Sequence, residues 1–294
     1  MKNVSNQEQL VSVYIPSHYR PSDLNRSLNS VLTQTHTNIE VIVALDGKCE
    51  DSISLLQDIA NKDYRLKFLV NEQPKGACNA RNRAIDMASG DFITGLDDDD
   101  IMEPDCIQSY LAAWNDRYAL LCADYSIFGV HSNRFDLNKT EYTHFDLVEK
   151  NYVGNQVFTK LDTLKNNTFD EKMVAWQDYD CWFRVVLAQN KPFLKLGKKL
   201  YKVNVDPSRE RITTGTKTAT GAIQFLSKHA EYLKDKVTFW LLNDLVNRGQ
   251  KIPLWLVVAL LSSSQSKRAV YFFLKHSFLG SLVFSLKNFF AKFN

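Results

Sequence analysis

Residues 92–100 read FITGLDDDD, an apolar run that ends in four consecutive aspartates. The apolar part is typical of a buried strand, so the aspartates are expected at the carboxyl end of that strand. Four adjacent carboxylates in a partly buried crevice repel one another by several kcal/mol and therefore need a compensating cation. Carboxylate oxygens suit Mn²⁺ or Mg²⁺, which complete their coordination with substrate phosphates. A solvated acidic turn, or capping of the helix that starts near Pro104, is the alternative interpretation.

Three further runs rich in β-branched residues precede this one and predict a parallel sheet. They alternate with amphipathic helical stretches, which is the pattern of an α/β domain. One helix is predicted behind Pro21, with Ser22 as its cap, and another from Ala77 to Met87. The predicted strands are Val11–Ile15, Ile39–Leu45, Leu66–Val70 and Phe92–Leu96.

The pattern becomes mixed beyond Asp105. A helix is predicted from about Asp178 to Gln189, a polar loop rich in Arg and Thr from Asp206 to Thr220, and helical structure from Ala222 onward. The strand-like runs of this part are Ala119–Ala123, Gln156–Thr159, Phe193–Leu196 and Leu200–Val205.

Polar clusters follow three of the predicted strands of the first half. Residues 17–20 (SHYR) follow the first strand, 46–48 (DGK) the second, and 97–100 (DDDD) the fourth. Ligands of parallel sheets bind at the carboxyl ends of the strands. The sequence therefore predicts one crevice that collects these three clusters.

Composition limits the classes of protein to consider. The 36 basic and 33 acidic residues leave a net charge of only +3, far from the dense positive field of nucleic-acid-binding proteins, so no nucleic acid is expected as a partner. The five cysteines form no C-x-x-C pair and are interpreted as reduced core thiols of a cytosolic protein. No signal peptide is expected at Met1–Leu10, and the longest apolar run, Ile252–Leu261, is about half the ~20 residues that cross a bilayer.

Several separated motifs, in this order along the chain, resemble the family 2 glycosyltransferases. Residues 11–20 are similar to the first strand and nucleotide loop of that family, 30–35 to its first-helix motif, 39–47 to the strand that ends in a nucleotide-contacting aspartate, 76–82 to its G-x-x-x-A-R-N segment and 95–104 to its D-x-D region. The resemblance covers roughly residues 10 to 215.

The resemblance implies the GT-A fold: an α/β domain with a Rossmann-like, mostly parallel sheet flanked by helices. The catalytic domain would span 1–220, with a donor-binding half at about 10–105 and an acceptor half at about 106–220. Residues 221–294 would form a helical extension.

The resemblance also implies the residues that bind the nucleotide-sugar donor. Asp46 would bind the base or ribose, Asp97 and Asp98 would lie near the ribose and the metal, and Asp99 would coordinate Mn²⁺ or Mg²⁺, with the assignment open by one position along the run. Arg81, alternatively a helix-surface residue, would help hold the nucleotide. The implied donor-binding residues are Pro16, His18, Tyr19, Asp46, Arg81, Asp97, Asp98, Arg209 and Arg211.

An acceptor-side motif of the family resembles residues 169–184, where the second acid of a pair acts as general base. That position is Asp178, and a carboxylate that takes the proton of a sugar hydroxyl contributes about 10²–10⁴-fold to the rate. The usual carboxylate before it is Gln177 here, and Asp180 is the second candidate. Stabilisation of a helix N-terminus is the alternative role of Asp178.

Residues 201–213 resemble the segment that closes over the donor. Arg209 or Arg211 would neutralise the departing diphosphate, and Asn204 stands where the family often has a histidine. An exposed basic loop is the alternative interpretation.

The implied reaction is the inverting transfer of a hexose from a nucleotide sugar, expected to be a UDP-sugar, to a hydroxyl of a glycan or lipid-linked saccharide. Its setting would be surface-polysaccharide (O-antigen or capsule) synthesis. A non-catalytic nucleotide-sugar-binding subunit of a polysaccharide assembly complex would keep Asp46 and Asp99 but would need neither Asp178 nor Arg211. A nucleotidyltransferase should show a glycine-rich phosphate loop after the first strand, and residues 16–20 contain no glycine.

The C-terminal tail, residues 251–294, combines six basic residues and nine aromatic residues with no acidic residue. On a helix this composition favours an orientation in the membrane interface. We therefore expect a cytoplasmic protein that associates peripherally with the inner face of the cell membrane. Packing on the catalytic domain or in a dimer seam is the alternative.

Overall fold

The structure is a computed structural model that describes residues 9–128, 140–205, 216–229 and 231–232. Two compact units are distinguished by their internal contacts. Among the described residues, the first unit comprises 9–128, 140–147, 151–172 and 177–205, and the second comprises 148–150, 173–176 and the part from 216 onward. Within the described residues, no helix is both long enough and apolar enough to cross a membrane.

The first half of the chain forms the parallel sheet that the sequence predicts. Its elements are β1 (Val11–Ser17), α1 (Pro21–Leu32), β2 (Ile39–Asp46), α2 (Glu50–Ala60), β3 (Leu66–Asn71), α3 (Ala77–Met87) and β4 (Phe92–Gly95). The strand order is β3-β2-β1-β4, and all three neighbouring pairs are parallel. The register pairs Ser17 with Leu45 and Asp46 with Asn71, so the polar residues at these strand ends share one edge.

Burial on both faces explains why β1 and β2 are continuous apolar runs. Every residue of both strands is buried, as is usual for central strands of a parallel sheet covered by helices. Pro21 begins α1 at a position where its fixed backbone angle suits a helix. The predicted cap at Ser22 is wrong, because the residue in the cap position is Arg20 and no side chain caps this helix.

The second half extends the sheet with mixed strands. Its elements are β5 (Ile101–Met102), α4 (Cys106–Ala113), β6 (Leu121–Ile127), β7 (Glu141–Tyr142), α5 (His144–Glu149), β8 (Phe158–Lys160), α6 (Leu161–Lys165), α7 (Gln177–Gln189) and β9 (Phe193–Val203). In the described part of the chain the sheet has nine strands, with the order β3-β2-β1-β4-β8-β6-β9-β5 and with β7 beside β9. Strand β8 is antiparallel to β4, whereas β6 and β9 are parallel to each other.

Strand β9 corrects the prediction of two separate strands at Phe193–Leu196 and Leu200–Val205. Exposed residues 197–199 interrupt its apolar pattern, but the backbone continues as one strand. The extra residues bulge from β9, because the consecutive β6 residues 123–125 pair with Leu196, Lys199 and Tyr201. In the second unit, α8 (Thr216–Lys228) begins before the predicted boundary at residue 221.

A buried carboxylate ties the central strands together. Glu40 of β2 accepts hydrogen bonds from Ser12 Oγ of β1 (2.6 Å) and Lys67 Nζ of β3 (2.8 Å). The backbone N–H and the hydroxyl of Ser89 also donate to it. Burial raises the pKa of Glu40, but these hydrogen bonds outweigh that effect and lower the pKa to about 2. The carboxylate therefore stabilises the sheet while it is ionised.

We expect Glu40→Gln to lower the free energy of unfolding at neutral pH by about 3 kcal/mol, the value of a carboxylate whose pKa falls from 4.5 to about 2 on folding. Because the folded-state pKa is depressed, this stability is complete above pH 4.5 and is lost as the pH falls toward 2. Glutamine does not titrate, so the difference in free energy of unfolding between the variant and the wild type should become smaller as the pH falls from 4.5 toward 2. Urea unfolding at pH 7 and pH 3, with the exposed Glu72→Gln as control, measures this, and a pH-independent difference would contradict it.

Candidate active site

The ends of β1, β2 and β4 meet, as the sequence predicts. Ser17 Oγ donates to Asp98 Oδ2 at 2.7 Å, which joins the end of β1 to the aspartate run. His18 Nδ1 lies 2.5 Å from the backbone oxygen of Asp46, which joins β1 to the end of β2. The three polar clusters therefore line one crevice at the carboxyl edge of the sheet.

The four aspartates after β4 alternate between two environments. Asp98 and Asp100 are buried, whereas Asp97 and Asp99 are partly exposed. Asp100 Oδ1 accepts a hydrogen bond from the backbone N–H of Asn204 at 2.9 Å, so this carboxylate supports the end of β9. The crevice side of the run is thus formed by Asp97 and Asp99.

The two buried aspartates of the run have raised pKa values. Burial, with the charges of neighbouring aspartates, raises the pKa of Asp98 to about 6 and that of Asp100 to about 8. Arg20 lies on the crevice side, with Nη1 3.3 Å from Asp98 Oδ1 and 3.5 Å from Asp99 Oδ2. The sequence pattern assigns Arg20 no role, although it stands in the polar cluster after β1.

The donor set fits a metal ion shared with a ligand better than one enclosed by protein. In the described residues, no group of three or more His, Cys, Asp or Glu side chains is placed to hold an ion. Mg²⁺ is usually held by one or two carboxylates and completes its shell with substrate phosphates and water. Asp99, partly exposed beside Asp97, suits that arrangement.

Asp46 organises the loop that follows β3. Its carboxylate accepts hydrogen bonds from Asn71 Nδ2 (2.9 Å) and from the backbone N–H groups of Lys75 (2.7 Å) and Gly76 (2.8 Å). Gly76 has a φ of +94°, which glycine adopts without strain. In this structure Asp46 therefore shapes the wall of the crevice, and its register partner Asn71 is a contributor that the sequence reasoning missed.

Tyr19 forms an exposed aromatic surface at the same edge. Its φ is +53°, and its ring lies 4.2 Å from the ring of His18. The ring also covers Gly47, where an added Cβ would lie 2.9 Å from Tyr19 Cζ and 3.1 Å from Pro74 Cγ. Pro16, in contrast, is buried within β1, so it supports the crevice from inside the sheet.

Arg81 of α3 connects the aspartate run with the start of α7. Nη2 lies 3.0 Å from Asp97 Oδ1, and Nη1 donates to Gln177 Oε1 at 3.3 Å. The guanidinium also lies over the Phe169 ring, 5.3 Å from its centroid. Burial opposes the charge of Arg81, but Asp97 keeps its pKa above the ordinary value. The alternative of a helix-surface arginine is therefore wrong.

Two asparagines of α3 reinforce this connection. Asn82 exchanges hydrogen bonds with the backbone of Phe169, both at 2.9 Å. Asn79 Nδ2 and Asn82 Nδ2 also donate to the carboxylate of Glu171 at 3.2 Å. The helix that borders the donor crevice is thus hydrogen-bonded to the segment that leads into the acceptor-side motif.

The two carboxylates of α7 have different surroundings. Asp178 is partly buried, and desolvation raises its pKa to about 6. The backbone N–H of Tyr179 and the charge of Arg81 lower this pKa, but by less than desolvation raises it. Asp180 is fully buried and forms an ion pair with Arg184 Nε at 2.9 Å. A carboxylate with a pKa near neutrality suits proton transfer, whereas Asp180 is held inside the domain. Arg209 and Arg211, the predicted diphosphate-binding residues, lie outside the described residues.

Comparison with known proteins agrees with this arrangement. Residues 12–187, more than half of the chain, match the model of glycosyl transferase family 2. The chain is 32% identical, over 269 residues, to the putative colanic acid biosynthesis glycosyl transferase WcaA of Escherichia coli K12, with 88% of this chain and 95% of that protein covered. It is 28% identical over 184 residues to the E. coli UDP-Glc:alpha-D-GlcNAc-diphosphoundecaprenol beta-1,3-glucosyltransferase WfgD, with 62% of this chain and 72% of that protein covered.

The fold also matches solved structures. Residues 1–349 of Staphylococcus aureus TarS, in complex with UDP-GlcNAc, superpose with a TM-score of 0.65 at 18% identity, and the match covers 90% of this chain and 80% of that one. At this identity the likeness concerns the fold, which is the GT-A fold that the sequence predicts. With the family match across the sheet, the crevice and α7, the chain belongs to the family 2 glycosyltransferases.

Proposed function

We propose that this enzyme transfers a hexose, with inversion, from a UDP-sugar to a hydroxyl of a lipid-linked saccharide during surface-polysaccharide synthesis. The observation that carries the proposal is the Arg81 link, which joins Asp97 in the donor crevice to Gln177 beside Asp178. One side chain thereby joins a carboxylate of the donor crevice to the residue that precedes the candidate base.

The names of relatives support the substrate classes. WfgD is described as using UDP-Glc and an acceptor carried on diphosphoundecaprenol, and WcaA as acting in colanic acid biosynthesis. TarS was crystallised with UDP-GlcNAc. These relatives favour a uridine nucleotide and a lipid-linked acceptor for this chain.

The geometry of α7 favours a single displacement. Asp178 would accept the proton of the attacking hydroxyl, and its pKa of about 6 leaves it ionised at neutral pH. Asp180 is paired with Arg184 and buried, so it is a poor candidate for a covalent nucleophile. A direct attack opposite the leaving diphosphate inverts the anomeric carbon.

The donor side would stabilise the leaving group. A divalent ion at Asp99 would supply positive charge to the diphosphate when bound. Arg20, which lies beside Asp98 and Asp99, would supply a second positive charge at the crevice. The ordered loop at Asp46 and the Tyr19 surface would receive the nucleoside.

We expect UDP to bind about tenfold or more tightly with Mn²⁺ than with EDTA, because its diphosphate and Asp99 repel each other without a bridging cation. Calorimetric titration of the wild type, of Asp99→Asn and of the exposed Asp58→Asn as control measures this. Asp99→Asn should lose the Mn²⁺ dependence, and Asp58→Asn should retain it. Equal affinity of the wild type in both buffers would refute the metal role.

We expect Asp178→Asn to keep UDP affinity and to lower kcat by about 10²-fold or more, because an amide cannot accept the proton. In the wild type, kcat/KM should rise with pH through about 6 as the base loses its proton and should level off above it. Steady-state UDP release from pH 5 to pH 8 measures both. Near-normal turnover of the variant would remove Asp178 as the base. If the wild type and the variant both release UDP equally slowly, the result would favour the non-catalytic subunit.

Peripheral membrane association would place the enzyme beside a lipid-linked acceptor. The tail at 251–294, which lies outside the described residues, carries six basic residues and no acidic one. Each basic group near an anionic leaflet contributes roughly 1 kcal/mol.

We therefore expect the full chain to co-sediment with vesicles that contain phosphatidylglycerol at low salt and to be released at high salt. Replacement of Lys267, Arg268 and Lys275 by Gln should weaken this binding. The control with the same change in charge replaces Lys48, Lys62 and Lys199, all exposed on the catalytic domain. If both variants bind as well as the wild type, or if the wild type stays in the supernatant, the tail is not a membrane anchor.

A further inference from the structure

A cleft beside the aspartate run contains a buried amide that the catalytic assignments leave unexplained. The cleft is small and partly open, and its walls include Asp100, Tyr125, Gly154 and Gln156. Gln156 is only 7% exposed, and its Oε1 has no hydrogen-bond partner in the part of the chain that the structure describes. A buried amide oxygen without a partner destabilises a protein, so a group that hydrogen-bonds there would be bound favourably.

The amide lies against the strand that leads into the aspartates. A Cβ added at Gly95 would lie 2.5 Å from Gln156 Oε1, so only glycine allows this approach. Gly95 is two residues from Asp97 in the sequence, which places the amide next to the donor crevice.

The opposite side of the same segment is tied to the helix of the candidate base. Trp182 Nε1 donates to the backbone oxygen of Gly154 at 3.2 Å. Trp182 follows Asp178 by four residues in α7, so the two side chains lie on the same face of the helix, one turn apart. The segment at 153–156 therefore contacts both the strand that leads into the aspartates and the helix that carries the candidate base.

We infer that the Gln156 amide binds a hydroxyl of the saccharide at the reaction centre and so helps to select the sugar. The inference rests on the proposed function and adds a recognition residue to it. A sugar hydroxyl both donates and accepts hydrogen bonds, which matches an amide in a cleft that Tyr125 makes partly aromatic. The hydroxyl belongs to the transferred hexose or to the acceptor sugar, and the assay distinguishes these two sources.

The decisive variant is Gln156→Met in the full chain, because methionine keeps the length of the side chain and removes its polar atoms. We expect kcat/KM to fall at least about tenfold, because the variant loses a hydrogen bond to a substrate hydroxyl and therefore stabilises the transition state less well. Affinity for UDP, which carries no hexose, should be unchanged. Thermal stability should be unchanged or higher, because an unpaired buried atom is removed.

Gln34→Met is the matched control. Gln34 is equally buried, but its amide bonds the backbone of Ser30, Glu103 and Ile107. This variant should lose thermal stability and keep the KM of the wild type, which is the opposite of the result expected at Gln156.

Release of UDP from UDP-glucose and UDP-GlcNAc is measured without an acceptor and with lipid-diphosphate-linked GlcNAc. A loss in hydrolysis assigns Gln156 to the transferred hexose, and a loss confined to the reaction with acceptor assigns it to the acceptor. Wild-type kinetics of Gln156→Met in both reactions, or reduced stability with unchanged kinetics, overturns the inference while the proposed function stands. A wild-type chain that releases no UDP from either donor contradicts the proposed function and the inference together.

Discussion

Four adjacent carboxylates at the end of β4 impose the electrostatic requirement on which the active site depends. Asp98 and Asp100 are buried and accept hydrogen bonds from Ser17 and the backbone N–H of Asn204, while Arg20 pairs with Asp98 from the crevice side. Asp97 is paired with Arg81. The surrounding strands and helix α3 are thus arranged around one cluster of acidic groups.

The arginine that neutralises this run also sets the relation between the two halves of the catalytic unit. Arg81 is separated from Gln177 by 96 positions in the sequence, yet a single hydrogen bond joins them. Asn79 and Asn82, on the same helix, hold Glu171 and Phe169. Helix α3 therefore contacts both the donor crevice and the start of the helix that carries the candidate base.

The sequence predicted the elements of the first half well because each is a local pattern. The limits of α3 agree with the prediction at both ends, and the four central strands agree within one or two residues. Strand β9 was predicted as two strands because exposed residues 197–199 interrupt its apolar pattern, and the pairing with β6 that continues across this bulge forms only in the fold. The sequence left Asp180 as the second candidate for the base, because the ion pair with Arg184 that holds Asp180 inside the domain is visible only in the fold.

The sequence by itself determined the parallel sheet, the crevice at its carboxyl edge and the acidic run there, because each depends on the pattern of apolar and charged residues close together in the chain. Only the tertiary structure decided how those groups are used. Asp46 orders the loop at Lys75 and Gly76, Arg81 reaches Gln177, and Gln156 lies against Gly95. The physical reason is that these contacts join residues far apart in the chain, and they form only when packing of the sheet and helices brings them together.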